Sequence, residues 1–258
     1  QGNLCKLSPS FVSVTCSAGG SGNGATTAPI AHMITSEFDT PSVAHLTCVG
    51  RSHADIAAKI DEYRTAGVEN ILALRGDLPA GATEDDKPAS DYAYARDLIP
   101  ELVDAGFCVG AAAYPEGHIA CEDLNASVEH LKQKQDAGAS FFVTQLFFDN
   151  EDFLRFLERA RIAGITVPIE AGIMPVLNQK SIERMVSLCG ASIPRKLSRI
   201  LARYGDHPEA LREAGIAYAI DQISDLVAAG VDGIHLYTMN NPAVARQISD
   251  SVSAIRRV

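Results

Sequence analysis

The residues best suited to chemistry in this sequence stand at the ends of apolar runs. Arg75-Gly76-Asp77 closes one such run and is followed by Leu78-Pro79, so opposite charges flank a glycine that permits close approach by a flat ligand. Read alone, Arg75 and Asp77 fit a surface ion pair equally well. His45 shares a run with Thr47, where a satisfied core histidine is the default expectation until its company is considered. Tyr114, Glu116 and His118 follow a further run, and Gln145 interrupts the stretch from Phe141 to Phe148. A lone amide among apolar residues is costly unless hydrogen-bonded, which favours a ligand contact there over a structural bond. Thr15, Asp149, Tyr237 and Asn240 complete the set of polar residues at run ends.

Several chemistries are missing from this inventory. Every lysine lies outside the apolar runs, which removes the amine of a Schiff-base aldolase. No glycine-rich phosphate loop, serine elbow or paired-histidine zinc motif occurs. Oxygen ligands on successive strand ends can hold a divalent ion, so a metal-assisted enzyme using Asp77, Glu116, Asp149 and His45 is an alternative the residues leave open.

The elements that must position these groups alternate regularly. Seven apolar runs read as strands: Phe11 to Thr15, Val43 to Cys48, Asn70 to Gly76, Cys108 to Pro115, Phe141 to Phe148, Pro168 to Met174 and Gly233 to Asn240. Stretches of helical period separate them, as where Ile56, Ile60 and Tyr63 recur at steps of three and four. Ala-Gly pairs ending at Gly67, Gly106, Gly138, Gly164 and Gly230 mark helix-to-strand junctions, because glycine tolerates the left-handed conformation that stops a helix. Ser52, Ser90 and Asn150 are expected N-caps, and Pro194 and Pro208 suit first turns.

Such alternation demands parallel strands with right-handed crossovers. Polar residues spread over many strand ends, rather than one glycine-rich turn, favour a (β/α)8 TIM-type barrel over a doubly wound sheet. Seven strands fall one short of that barrel, so the first strand–helix unit is expected to be missing or incomplete at the N-terminus. One catalytic domain spanning 1–258 is expected, with site loops at Ser17 to Thr27 and Gly81 to Ala89.

Composition bounds the function. The 258 residues are 47% hydrophobic and 21% charged, enough to bury a full core. Twenty-two Lys and Arg against 32 Asp and Glu give a net charge of −10, which argues against a nucleic-acid partner. No apolar stretch approaches the roughly 20 residues of a membrane span. Six scattered cysteines, none at zinc or redox spacing, fit a cytoplasmic protein with reduced thiols.

Taken in order, eight strings resemble the methylenetetrahydrofolate reductase family: Phe11-Val-Ser-Val-Thr15 with Ala18-Gly-Gly-Ser21, His45-Leu-Thr-Cys48, Leu74-Arg-Gly-Asp-Leu-Pro79, Ala113-Tyr-Pro-Glu-Gly-His118, Asp136-Ala-Gly-Ala139, Thr144-Gln-Leu-Phe-Phe-Asp149, Gly172-Ile-Met-Pro175 and His235-Leu-Tyr-Thr-Met-Asn240. The resemblance covers nearly the whole chain and implies the bacterial-type catalytic barrel. It implies FAD bound by positions matching Cys16, His45, Arg75, Gly76, Asp77, Tyr94, Ala95, Tyr114, His118 and Lys134, with Thr15 near the nicotinamide. Asp77, Gln145 and Tyr237 are implied to touch the folate. The implied reaction is a ping-pong reduction of 5,10-methylenetetrahydrofolate to 5-methyltetrahydrofolate, with NADH or NADPH as hydride donor. Within it Asp77 is the expected catalytic carboxylate, stabilising the cationic iminium formed as the folate ring opens. A small-molecule substrate and a homo-oligomer are likewise implied.

The chain departs from the family pattern in four places. It lacks the first-strand string whose glutamate acts as general acid toward the folate. Ser127 replaces an aspartate that meets the cofactor's sugar chain, and Ile119-Ala-Cys replaces Pro-Glu-Ala. Asn241 replaces an arginine near the folate's benzoyl-glutamate end. A catalytically impaired flavin- or folate-binding subunit is therefore the second alternative.

Overall fold

The computed structural model describes residues 2–16, 26–77, 89–118 and 123–255. The expected site loops fall largely outside these residues, as do Leu78-Pro79 and Ile119-Ala-Cys. The described chain forms two compact units, Gln1–Ala112 with Gln133–Phe141, and Ala113–Lys132 with Phe142–Val258.

In the first unit, α1 (Gly2–Cys5) precedes β1 (Val12–Val14), α2 (Thr27–Phe38), β2 (Ser42–Thr47), α3 (His53–Thr65), β3 (Asn70–Leu74), α4 (Ala95–Asp104) and β4 (Cys108–Ala113), whose last residue opens the second unit. The strands pair in parallel and in chain order, with Val12 opposite Ser42, Val43 opposite Asn70, and Asn70 opposite Cys108. Sequential parallel neighbours are the barrel-type arrangement expected, not the reversal of a doubly wound sheet. Val43, Ala44, Leu46, Ile71, Leu72 and Ala73 are buried, so the central strands are covered on both faces. Helix α3 starts with a capping box, Ser52 accepting from the Asp55 amide while Asp55 accepts from Ser52.

The helix α5 (Leu124–Asp136) leads to β5 (Phe141–Thr144). The second unit continues through α6 (Asn150–Ile162), β6 (Ile169–Ile173), α7 (Gln179–Cys189), α8 (Arg195–Tyr204), α9 (Pro208–Ala228), β7 (Gly233–Leu236) and α10 (Pro242–Ser251). Phe142 pairs with Ile169 and Glu170 with Gly233, again in parallel. Phe147 stacks on Phe153 with ring centroids 5.0 Å apart, and Phe153 and Phe156 of α6 and Ile169 of β6 are fully buried. Each such side chain stabilises the fold by roughly 1.5–3 kcal/mol.

All five Ala-Gly junction glycines have positive φ, as expected. Every strand expected from the sequence exists, and all seven end earlier than their apolar runs. Three helix starts differ from expectation, and in α8 Pro194 is the N-cap instead of a first-turn residue. Ser90 caps no helix; its hydroxyl donates to the carbonyls of Cys48 and Arg51, pinning the approach to α4 onto the end of β2. The N-cap of α6 is Asp149, while Asn150 donates to Gln222 O and Asp225 Oδ2.

Candidate functional site

In the first unit, Cys16, Arg75 and Gly76 come together where β1, β2 and β3 end. The Arg75 carbonyl accepts from the amides of Cys48 (3.2 Å) and Val49 (2.8 Å), tying the exit of β3 to that of β2. Gly76 has φ +88°, and a Cβ there would lie 3.0 Å from both Thr47 Cβ and Val49 Cγ1. The glycine is therefore required by its own chain's packing as well as by the turn. Arg75 is half-buried and Asp77 exposed.

His45 is partly buried, and its carbonyl accepts from the Tyr63 hydroxyl at 2.8 Å. Cys16 is half-buried beside Thr47, Arg51 and Tyr63; burial pushes its thiol up, partly offset by the hydrogen bond with Thr47. Thr15 is exposed, its carbonyl accepting from Thr27 Oγ1 at 3.4 Å. Tyr94 caps α4 with its ring half-exposed and the Arg96 guanidinium 4.9 Å from its centroid. Ala95 is the buried first residue of that helix. Lys134, in the last turn of α5, donates from Nζ to Ala112 O at 2.7 Å.

A group missed in the sequence braces this region. His53 Nδ1 lies 2.9 Å from the Tyr92 hydroxyl and 2.6 Å from Glu101 Oε1, and Tyr92 donates to Glu101 Oε2 at 2.7 Å. The Asp91 carboxylate accepts from the His53 amide. Together they hold the segment leading to Tyr94. Only a polar Asp91-Tyr92 ahead of the helix could have hinted at it.

The second unit holds the remaining residues. Tyr114 and His118 meet edge-to-face at 4.7 Å across a turn closed by the Gly117 amide on Tyr114 O. Glu116 Oε2 accepts from the Ser192 amide at 2.9 Å. Gln145 donates its backbone N–H to Ala113 O, and its side-chain oxygen accepts from Leu146 N at 2.9 Å. Part of this amide is thus spent structurally, against the expectation of a ligand contact alone.

Tyr237 lies across Gly172 and donates to Thr144 O at 2.7 Å, next to Gln145. A Cβ on Gly172 would come within 2.3 Å of that carbonyl and 2.8 Å of Tyr237 Cε2, so glycine is needed for the ring to reach its partner. Burial pushes the Tyr237 phenol well above the usual range, with Cys189, Tyr114 and Glu170 adding to the shift. It remains a neutral hydroxyl whose lone pairs can accept from a ligand. His235 packs edge-on to Tyr237 at 5.2 Å, with Glu170 Oε2 3.6 Å from its Nδ1. Beyond them, Met239 and Asn240 both have positive φ. Asn241 caps α10 by accepting from the Val244 amide.

The divalent-ion alternative gains nothing here. Among the described residues no three His, Cys, Asp or Glu side chains could hold a metal ion, and Glu116 and Asp149 already accept backbone amides. The donor set does suit an anionic dinucleotide with a flat head. Arg75 and Lys134 bring positive charge, Tyr94 an exposed ring, and His45 within β2 and Cys16 just past β1 bring polar groups.

Comparison with known proteins follows the same lines. The family model described as methylenetetrahydrofolate reductase matches residues 2–253. Methylenetetrahydrofolate reductase 1 of Schizosaccharomyces pombe is 36% identical over 250 residues, covering 96% of this chain and 41% of that protein. The 5,10-methylenetetrahydrofolate reductase of Escherichia coli is 35% identical over 245 residues, covering 95% of this chain and 81% of that one. The chain thus spans about two-fifths of the longer relatives and four-fifths of the bacterial type. An uncharacterized protein from Clostridium thermocellum that binds two copies of 5-methyl-5,6,7,8-tetrahydrofolic acid shares the fold, with a TM-score of 0.55 and 14% identity over 93% of this chain and 94% of that one.

Proposed function

The chain belongs to the methylenetetrahydrofolate reductase family, and from that premise we propose that it reduces 5,10-methylenetetrahydrofolate to 5-methyltetrahydrofolate with NADH or NADPH, through bound FAD. What most supports the reading is the meeting of Tyr237 and Gln145 at one strand exit, 92 residues apart in sequence, with the phenol fixed on the carbonyl next to Gln145.

In the first unit Thr15, Cys16, His45, Arg75, Gly76, Asp77, Tyr94, Ala95 and Lys134 are the residues that would hold the cofactor, and Tyr114 and His118 are carried as cofactor positions by the family resemblance. Lys134 and Arg75 offset phosphate charge, and Tyr94 offers a ring face to a base. FAD supplies the two-electron relay between nicotinamide and folate. Gln145, with donor and acceptor groups on one amide, orients a heterocycle edge, and Tyr237 accepts a hydrogen bond from it. Asp77 stabilises the iminium cation formed as the folate's one-carbon ring opens, the step at which positive charge develops. Ser127 is buried on α5, a small hydroxyl in place of a carboxylate, which weakens the hold on the cofactor's sugar chain without abolishing it.

The test is an anaerobic titration of the purified protein loaded with FAD. NADH or NADPH should bleach the flavin absorbance and methylenetetrahydrofolate should restore it. Asp77→Asn should slow the restoration much more than the bleaching, because only the folate step develops the cation. Flavin that binds but is never bleached, or equal slowing of both steps, would overturn the respective assignments.

A further inference from the structure

We propose that Arg96 is a positioning residue for the adenine end of the cofactor, holding the Tyr94 ring as a platform on which that base stacks; this deepens the FAD reading above and rests on it. Among the described residues the large apolar side chains left most exposed are Tyr94, Val103, Ile162 and Met239, and Tyr94, at 49%, is the aromatic one of these. A ring left in water contributes little to the core, yet everything around this one is fixed. The amides of Ala93 and Tyr94 donate to Asp97 Oδ2 at 2.9 and 2.8 Å, and the Asp97 amide donates to Tyr94 O at 3.0 Å. The backbone at the head of α4 is thus locked, and only the side-chain torsions of Tyr94 are left to settle.

Arg96 settles them. Its guanidinium carbon lies 4.9 Å from the Tyr94 centroid, inside the ~6 Å over which a cation is attracted to a ring face. The guanidinium is itself held from another helix, Nη1 donating to Gln133 Oε1 in the last turns of α5. Gln133 directly precedes Lys134, the cation given above to the cofactor's phosphate, so base platform and phosphate cation are tied to one turn of α5.

Helix α4 has no need of its own for a cation at this place. Arg96 is its second residue, at the positive end of the macrodipole, where positive charge is unfavourable. The carboxylate beside it, Asp97 Oδ1, is 3.6 Å from Nε, and with the two side chains 37% and 36% exposed the pair adds little. The purchase of Arg96 on its surroundings is the ring and Gln133. With the guanidinium over one face and half of Tyr94 exposed, a flat base can lie against the ring, and a ring pinned before the cofactor arrives need not be ordered by it.

The experiment measures by calorimetry the dissociation constants of the full chain, freed of flavin, for FAD and for FMN, which has the flavin and one phosphate but no adenosine. An exposed contact between cation and ring is worth about twofold to fivefold, so Arg96→Gln should weaken FAD by that factor and leave FMN unchanged. Gln133→Leu, which releases the guanidinium, should act in the same direction. Tyr94→Ala removes the platform and should weaken FAD by about tenfold, and Arg96→Gln in that background should add nothing, because Arg96 acts through the ring. Unchanged FAD binding in Arg96→Gln, or equal losses for FAD and FMN, overturns the proposal. So does an undiminished effect of Arg96→Gln without the ring, which would make Arg96 a direct phosphate contact. If the wild type binds neither flavin, the FAD reading has failed separately, and titration with ADP decides. ADP binding weakened by Arg96→Gln only where Tyr94 is present sustains the platform, and ADP binding that is absent or indifferent to the variant removes it.

Discussion

Gly172→Ala gives a sharp test of how the second unit holds Tyr237. The added Cβ would stand 2.3 Å from Thr144 O and 2.8 Å from Tyr237 Cε2. Thr144 is fully buried, its hydroxyl accepts from the Gly172 amide at 2.8 Å, and β5 is fixed to β6 by the ladder, so that carbonyl cannot retreat. Moving the ring relieves only its own contact, so the strand backbone is strained as well and the Tyr237 hydrogen bond to that carbonyl is lost. Overpacking a tight site costs roughly 1–3 kcal/mol, and losing the Tyr237 hydrogen bond adds about 1 kcal/mol net. A total of about 2–4 kcal/mol is a large share of the roughly 5–15 kcal/mol that holds a protein folded.

For a chain of this size the loss lowers Tm by about 5–15 °C, read by calorimetry or by a urea midpoint at constant slope. Tyr237→Phe removes only the hydroxyl and should cost about 1 kcal/mol. In that background Gly172→Ala should cost about 1 kcal/mol less than in the wild type, because the bond is already gone. A variant within about 0.5 kcal/mol of wild type, or strict additivity of the two changes, would refute the account of Gly172 as the seat of the Tyr237 ring.

Two further outcomes follow from buried groups. Burial pushes the phenols of Tyr63, Tyr218 and Tyr237 up, Tyr218 to about 12, so at high pH the unfolded chain loses protons that the folded chain keeps. Stability is then whole below about pH 10 and falls as pH rises beyond it, and absorbance titration of the tyrosines should show these three ionising late, together with unfolding; three phenols titrating normally in a folded protein would contradict it. The raised Cys16 thiol should alkylate more slowly than the exposed Cys108 near pH 8, and Thr47→Val, which removes the offsetting hydrogen bond, should slow it further. Peptide mass spectrometry reads both sites at once, and equal labelling would count against the burial of Cys16.

The alternation of strand and helix was legible because Ala-Gly pairs and helical periodicity are local properties. Strand ends were harder. The run from Phe141 to Phe148 reads as one strand, yet β5 ends at Thr144 because the Gln145 side-chain oxygen takes the Leu146 amide. The apolar residues beyond it are then free to pack elsewhere, Leu146 and Phe148 with α7 to α9 and Phe147 on Phe153. Ser90 was misread for a different reason: its partners, the carbonyls of Cys48 and Arg51, lie about 40 residues upstream. The His53–Tyr92–Glu101 group is invisible in sequence on the same ground, each member being unremarkable until the fold joins them. Residue types at strand exits were legible, but Gly76 shows that a type can be right and its reason incomplete, since Thr47 and Val49 already crowd its missing side chain.

Asn241 has a role of its own in the fold. Where the family resemblance leads to an expected arginine, Asn241 accepts the Val244 amide and caps α10, an interaction worth about 1 kcal/mol. A cation at that position would forfeit the cap.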